Sequence, residues 1–269
     1  MHPSTFTESA MSTGSLQINR DIILATKRQQ TRQRQAKLPE AAVQALAEMQ
    51  SRPRPLLNEV DDRPTVTLIG QINRTRIYDP VATAVALVKH GAHAISLFTD
   101  HVIYDEDFDD LRMIARALPH VPVLYQNYPI DPYSVLSARG ADASAMMFYT
   151  SLMKPEELRA SLTRAQRWGM AVLLQVKAQS EMEQAQALSP HALCFGDEVS
   201  RTVERALRTL DELRPLIPCH AKIMLAQRLD TLRDVEMAVA AGVQAVIVSA
   251  DLIRTEGERL RGILKLQLG

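Results

Sequence analysis

The feature that most constrains the fold is an alternation of short apolar runs with longer amphipathic ones, repeated eight times from residue 65 to the C-terminus. Each short run is apolar throughout rather than alternating, which is typical of strands buried on both faces in a parallel sheet. The longer runs, such as residues 155–168, place apolar residues at helical spacing. The eight predicted strands are 65–71, 94–98, 121–125, 143–147, 171–176, 191–195, 221–225 and 244–248.

Eight strand–helix units in about 200 residues match the size of a (β/α)₈ TIM barrel. A doubly wound open sheet is the main alternative, but the regular count of eight favours a closed α/β barrel. We therefore predict a single barrel domain over residues 65–269. Residues 15–64 form an N-terminal helical extension and a proline-marked connector, and residues 1–14, which are small and polar, form a disordered tail.

The overall composition excludes several classes of function. The chain has 31 basic and 31 acidic residues, so no net field attracts nucleic acid or an anionic membrane. It has no apolar signal segment and no apolar run long enough to span a bilayer, so a cytoplasmic location is expected. Cys194 and Cys219 lie in or beside predicted strands and are expected to be packed, reduced thiols.

Two local charge clusters stand out from this neutral background. The predicted helix at 15–38 carries six basic residues and one acidic residue, a local charge of +5, and Asp105–Asp110 holds five acidic residues. The simpler interpretation is that both charge clusters are ordinary solvated surface. The alternative is that the helix lies over the C-terminal face of the barrel and meets the acidic cluster, or that either cluster binds an unknown protein partner. The sequence does not specify the oligomeric state.

Several stretches resemble the indole-3-glycerol phosphate synthase family. INRDIILATKRQQ is similar to the family's opening helix, "ILxxIxxxKRxE", and IDPYSVLSARGADA to its "IDPYQVxEARxxGADA" segment. RPLIP and RDVEMAVAAGVQAVIVS match two later segments. The resemblance runs from about Ile18 to the end, and it implies a TIM barrel and a lyase that closes the indole ring with loss of CO₂ and water.

That activity requires ionisable groups at the strand ends, and this chain departs from the family pattern at each of them. A general-acid lysine, a glutamate proton relay and a carboxylate-binding lysine carry the family's chemistry. Amides and small residues replace these acids and bases, and an amide does not titrate near neutral pH. The degenerate positions are Gln71, Asn73, Gln126, Gln175, Gly196 and Ala226.

The phosphate site implied by the resemblance is also altered. The first loop is about half the family's length, and Arg228 and Asp251 occupy the regions that follow strands seven and eight. His90 and His93 flank Gly91 and do not share a helical turn, so we expect no metal site, and the resemblance implies no cofactor. Candidate ligand-binding residues at the mouth are Gln71, Gln126, Asn127, Tyr149, Gln175, Lys177, Asp197 and Arg228.

Three functions follow from these observations. The first is a barrel of this type that has lost catalysis and acts in binding, assembly or regulation. The second is an enzyme with altered chemistry, in which Lys177, Asp197 and Tyr149 are the candidate working groups. The third is the tryptophan-pathway enzyme itself. We expect the first, because the acids and bases are replaced at five different strand ends inside otherwise matching frames.

Overall fold

The computed structural model describes residues 20–57, 66–73, 78–98, 108–196 and 202–265. Eight parallel strands close into one barrel in chain order, with the first strand paired to the last. This confirms the predicted TIM barrel. The strands are β1 Thr67–Asn73, β2 Ala94–Phe98, β3 Val123–Tyr125, β4 Ala145–Tyr149, β5 Ala171–Gln175, β6 Ala192–Phe195, β7 Lys222–Leu229 and β8 Ala245–Ser249.

Helices cover the outside of the barrel and precede its first strand. Two come before the barrel, seven connect consecutive strands, and the last follows β8 and is kinked at Glu256. The predicted tail 1–14 and part of the connector lie outside the described residues. The helices are α1 Arg20–Lys37, α2 Glu40–Glu48, α3 Pro80–Lys89, α4 Phe108–Ala117, α5 Pro132–Gly140, α6 Pro155–Arg167, α7 Gln179–Gln186, α8 Val203–Leu213, α9 Leu232–Ala240 and α10 Ala250–Lys265.

Helix α1 lies against the C-terminal face of the barrel, which the sequence left open as the alternative to a solvated surface helix. Ile23 and Leu24 join the main hydrophobic core. The Thr31 hydroxyl donates to Asp131 Oδ2 at 2.9 Å, and the Arg34 guanidinium lies 5.1 Å from the centre of the Phe108 ring. Asp131 and Phe108 begin the helices that follow β3 and β2, so α1 is fixed to the side of the barrel where a TIM barrel carries its active site.

Only the end of the acidic cluster lies within the described residues. Asp109 pairs with Arg112, and Asp110 accepts a hydrogen bond from the Tyr78 hydroxyl at 2.7 Å. Residues 105–107 fall in an undescribed range. Pairing between α1 and the rest of the cluster therefore stays a prediction.

The opposite end of the barrel is held by a buried ion-pair network. Arg139, whose side chain is 2% exposed, pairs with Asp142 at 2.9 Å, and Arg54 reaches the other carboxylate oxygen of Asp142 at 2.7 Å. Arg139 also donates to the carbonyl of Ser51. Leu56, a few residues further on, is buried in the core. The network thus fastens the connector after α2 to the junction between α5 and β4.

Three even-numbered strands, β2, β6 and β8, are each preceded by a residue whose side chain stabilises the start of the neighbouring odd-numbered strand. Each side chain accepts a hydrogen bond from a backbone N–H, and such an acceptor in a histidine ring must be unprotonated. His93 therefore has a structural role through its Nδ1, and the described residues contain no group of three His, Cys, Asp or Glu side chains that could hold a metal ion. The pairs are His93 Nδ1 with Leu68 N at 3.0 Å, His191 Nδ1 with Val172 N at 3.0 Å, and Gln244 Oε1 with Ile223 N at 2.6 Å.

The variant His93→Gln is expected to resist acid better than the natural chain. Burial lowers the pKa of His93 below its usual 6.5. The folded chain therefore binds fewer protons than the unfolded chain below about pH 6.5, and stability falls as the pH decreases through that range. A glutamine, as at Gln244, accepts the same hydrogen bond without titrating.

Urea unfolding at pH 7.5 and 5.5 measures this effect. Because the residue His93 is exposed, the difference in unfolding free energy between the two proteins at pH 5.5 should reach no more than about 1 kcal/mol. The variant should match the natural chain at pH 7.5. Equal acid sensitivity in both proteins would show that His93 does not contribute.

The two cysteines have different surroundings. Cys194 is buried in β6, and burial raises the pKa of its thiol well above the usual range, which suits an inert core residue. Cys219 is exposed, so the prediction of two packed thiols was wrong for this residue. It lies in the turn before β7 rather than in the strand itself.

Among the described helices, none is long and apolar enough to cross a membrane.

Candidate functional site

Each odd-numbered strand supplies a buried glutamine within two residues of its carboxyl end. These four residues, which we call the glutamine layer, are Gln71, Gln126, Gln175 and Gln227, and each is 1–3% exposed. Strand register places Gln71 beside Ser96 of β2 on one side and Ser249 of β8 on the other. Layers built from alternate strands are the usual packing of a barrel interior.

Gln126 links three strands at the barrel mouth. Its Oε1 accepts from the Ser96 hydroxyl at 2.7 Å, and its Nε2 donates to the carbonyl of Ala226, on β7, at 3.3 Å. The carboxamide of Gln126 therefore extends from β3 toward the far side of the barrel. Its donor and acceptor are both used in holding the strand ends together.

Gln175 and Gln227 meet at Gly196. The Gln175 amide donates to the Gly196 carbonyl at 2.6 Å. Gly196 has φ +82°, and a Cβ there would lie 2.6 Å from Gln227 Oε1 and 2.9 Å from the Ala206 Cβ. A residue with a side chain cannot occupy position 196 without displacing these neighbours.

Gln227 was missed as a candidate site residue. It lies in an irregularity of β7, where Leu225 is opposite Val246 but Arg228 is already opposite Ile247. Ala226 and Gln227 are therefore two extra residues of β7 between successive residue pairs of the β7–β8 ladder, and both are buried. The family resemblance places its glutamate at Ala226 rather than at Gln227, so nothing in the sequence indicated this residue.

Aromatic rings form one side of the mouth. The Tyr149 hydroxyl donates to the backbone carbonyl of Gln126 at 2.9 Å, so this phenol is used structurally. The Tyr149 ring packs 4.9 Å from Tyr128, which in turn meets Phe98 edge-on at 5.9 Å. Asn127 is buried among these groups, and Asn73 is half-buried at the end of β1.

The charged candidates lie further out. Lys177 is exposed on the rim, and its backbone N–H donates to Glu181 at 2.7 Å. Arg228 makes two hydrogen bonds to the Asp230 carboxylate, at 3.0 and 3.2 Å, so this pair of guanidinium N–H donors is already used. Asp197 lies outside the described residues. The structure thus brings the amide and tyrosine candidates together and separates Lys177 from them.

This arrangement can recognise hydrogen-bonding groups but offers little for proton transfer. The buried polar groups of the glutamine layer are neutral at every accessible pH. Two of the four amides donate to strand-end carbonyls, which a carboxylate could not do. General acid–base catalysis requires a group whose pKa lies near the working pH, and the layer contains none.

Comparison with known proteins agrees with the fold. A sequence profile of indole-3-glycerol phosphate synthase matches residues 20–261. The chain is 32% identical over 177 residues to "Indole-3-glycerol phosphate synthase" of Bordetella pertussis strain Tohama I, covering 66% of this chain and 67% of that protein. It is 26% identical over 246 residues to the protein of the same name from Roseiflexus sp. strain RS-1, covering 86% and 91%.

Solved structures share the barrel at much lower identity. 3-Hexulose-6-phosphate synthase from Salmonella typhimurium superposes with a TM-score of 0.65 at 14% identity, over 76% of this chain and all of that one. A second 3-hexulose-6-phosphate synthase gives 0.62 at 13%, over 74% and 99%. These likenesses support the fold alone. The sequence profile covers nearly all of the described chain, and the chain belongs to the indole-3-glycerol phosphate synthase family.

Proposed function

We propose that this chain is a member of the family that no longer closes the indole ring and that works by binding, as an assembly or regulatory protein. The observation that carries the proposal is the glutamine layer. Where the family resemblance implies the general-acid lysine, Gln126 is buried and donates to the Ala226 carbonyl. Where it implies a glutamate, Gln175 donates to the Gly196 carbonyl.

The strand ends have adapted to amides rather than merely lost their charges. A lysine at position 126 could not accept from Ser96, and a glutamate at position 175 would face a carbonyl oxygen with no proton to donate. Such buried hydrogen bonds are costly to leave unmade, at about 1–3 kcal/mol each. The network supports the interpretation that the site is now structural or ligand-binding.

The alternative is that the chain is an active indole-3-glycerol phosphate synthase or a lyase acting on a related substrate. The names of its relatives favour this function. Fold and family membership do not by themselves establish an activity, however, because one barrel carries many chemistries. Measured turnover of the family's substrate by this chain distinguishes the binding protein from the active enzyme.

Turnover of the anilino-ribulose-phosphate substrate is the direct test. Losing one general acid or base typically costs 10²–10⁴ in rate, so with several lost we expect kcat/KM at least about 10⁴-fold below that of an active relative. Indole-glycerol absorbance is followed with purified chain, and the Bordetella pertussis protein serves as the positive control. Turnover within 100-fold of the control, on the order of a single lost group, would overturn the proposal.

Association with a partner protein is the second part of the proposal. The partner is expected to use the basic helix α1 or the acidic cluster Asp105–Asp110, and exposed ion pairs of this kind weaken as salt screens them. The location is expected to be cytoplasmic. Gel filtration and pull-down at low and high salt should show association that salt weakens, and salt-insensitive association would exclude the charged surfaces.

A further inference from the structure

A cleft of about 400 Å³ separates α1 from the barrel wall, away from the glutamine layer. Residues from four helices and the turn before α5 line it, and its volume lies within the range of small-molecule sites. The cleft contains three arginines and two carboxylates among its lining side chains. The lining residues are Arg28, Thr31, Arg32, Gln35, Glu40, Asp131, Pro132, Tyr133 and Arg164.

Both carboxylates in the cleft already have partners. Glu40 pairs with Arg164 at 2.5 Å. Asp131 caps α5 by accepting from the Ser134 N–H at 2.8 Å and from the Ser134 hydroxyl at 3.1 Å, and its other oxygen accepts from Thr31. The negative charge of the cleft is therefore committed to holding α2 and α5 in place.

Two of the three arginines have no such partner. No ion pair within the described residues involves Arg28 or Arg32. They lie four residues apart on α1, so both face the cleft, and like charges at this spacing repel each other and destabilise the helix. This repulsion is offset when an anion lies between the two guanidinium groups.

We propose that this cleft binds a phosphate monoester with a body the size of a small sugar. Guanidinium groups recognise phosphate through paired N–H donors, and Arg28 and Arg32 bring two such groups to the cleft. Pro132 and Tyr133 give the cleft an apolar side for the organic part. The occupant contacts α1 through Arg28 and Arg32 and α6 through Arg164, so it joins the N-terminal helix to the barrel.

Calorimetric titration of the full chain with glycerol 3-phosphate at low salt tests the site. The double variant Arg28→Gln, Arg32→Gln should bind at least tenfold more weakly than the natural chain. Arg20→Gln, which removes one positive charge from α1 outside the cleft, should change affinity less than twofold. Arg228→Gln should also change it less than twofold, because Arg228 lies at the barrel mouth. All four side chains project from the surface or its edge, and equal melting temperatures confirm that the variants fold.

Inorganic phosphate and glycerol are the two reference ligands. Phosphate should bind the same site more weakly, and uncharged glycerol should not bind. The proposal fails if the natural chain shows no binding up to about 10 mM ligand, a concentration at which even weak sites fill. It also fails if the double variant binds normally, or if Arg20→Gln or Arg228→Gln weakens binding as much as the double variant does.

Hydrogen exchange gives an independent readout. Because the ligand connects α1 to α6, saturating glycerol 3-phosphate should slow amide exchange in residues 23–34 of the natural chain and not in the double variant. Unchanged exchange in α1 despite calorimetric binding would place the ligand elsewhere. The result does not depend on whether the barrel mouth is catalytic.

Discussion

The variant Asp142→Asn is expected to unfold about 3–5 kcal/mol more easily than the natural chain, since it removes the carboxylate shared by the two arginines of a buried ion-pair network. Arg139 and Arg54 both bind this carboxylate, at 2.9 and 2.7 Å, and their side chains are 2% and 15% exposed. Asparagine keeps the size of the side chain and tolerates the φ of +70° at this position. The loss of unfolding free energy therefore reports the removal of the negative charge rather than a change in side-chain size or backbone conformation.

The control is Asp211→Asn. Asp211 also pairs with an arginine three residues away, Arg214 at 3.3 Å, but this pair is exposed. Its removal should cost less than about 1 kcal/mol. Urea unfolding at pH 7.5 measures both variants, and equal small losses would show that water reaches the Asp142 network. Because this network anchors the connector, a large loss would also indicate that the helical extension stabilises the barrel.

The sequence predicted the barrel well because its strands are buried on both faces. Every predicted strand overlaps an observed one, and β2 matches in full at Ala94–Phe98. The differences are at strand ends. β4 continues to Tyr149 and β7 to Leu229, because Tyr149 and Gln227 are buried by neighbours that the local pattern does not reveal.

The candidate site was only partly predictable. The loss of ionisable groups was visible residue by residue, but the hydrogen bonds that replace them depend on pairs far apart in sequence, such as Gln126 with Ala226. Lys177 illustrates the reverse problem. Its position after β5 indicated the mouth, yet the residue is exposed rather than buried with the amides. Gln227 was hidden by the irregular pairing of β7 with β8.

Restoring a carboxylate to the glutamine layer, in the variant Gln175→Glu, is expected to destabilise the chain by about 2–4 kcal/mol at pH 7.5. The Gln175 amide donates to the Gly196 carbonyl at 2.6 Å, and an ionised glutamate would place two acceptors in contact without solvent. Burial should raise the pKa of the new carboxyl above its usual 4.3. The folded variant then binds more protons than the unfolded chain, and its stability falls as the pH rises from that value.

Gln186→Glu is the matched control, because the Gln186 amide also donates to a backbone carbonyl, that of Leu216 at 2.7 Å, but in an exposed position. Water can solvate both oxygens there, so the cost should be below about 1 kcal/mol. Urea unfolding at pH 5 and 7.5 should show the Gln175→Glu penalty shrinking at the lower pH and the Gln186→Glu penalty unchanged. If Gln175→Glu is as stable as the natural chain at pH 7.5, the mouth still accommodates the charged group that the family's chemistry requires, and the amides are not an adaptation of this site.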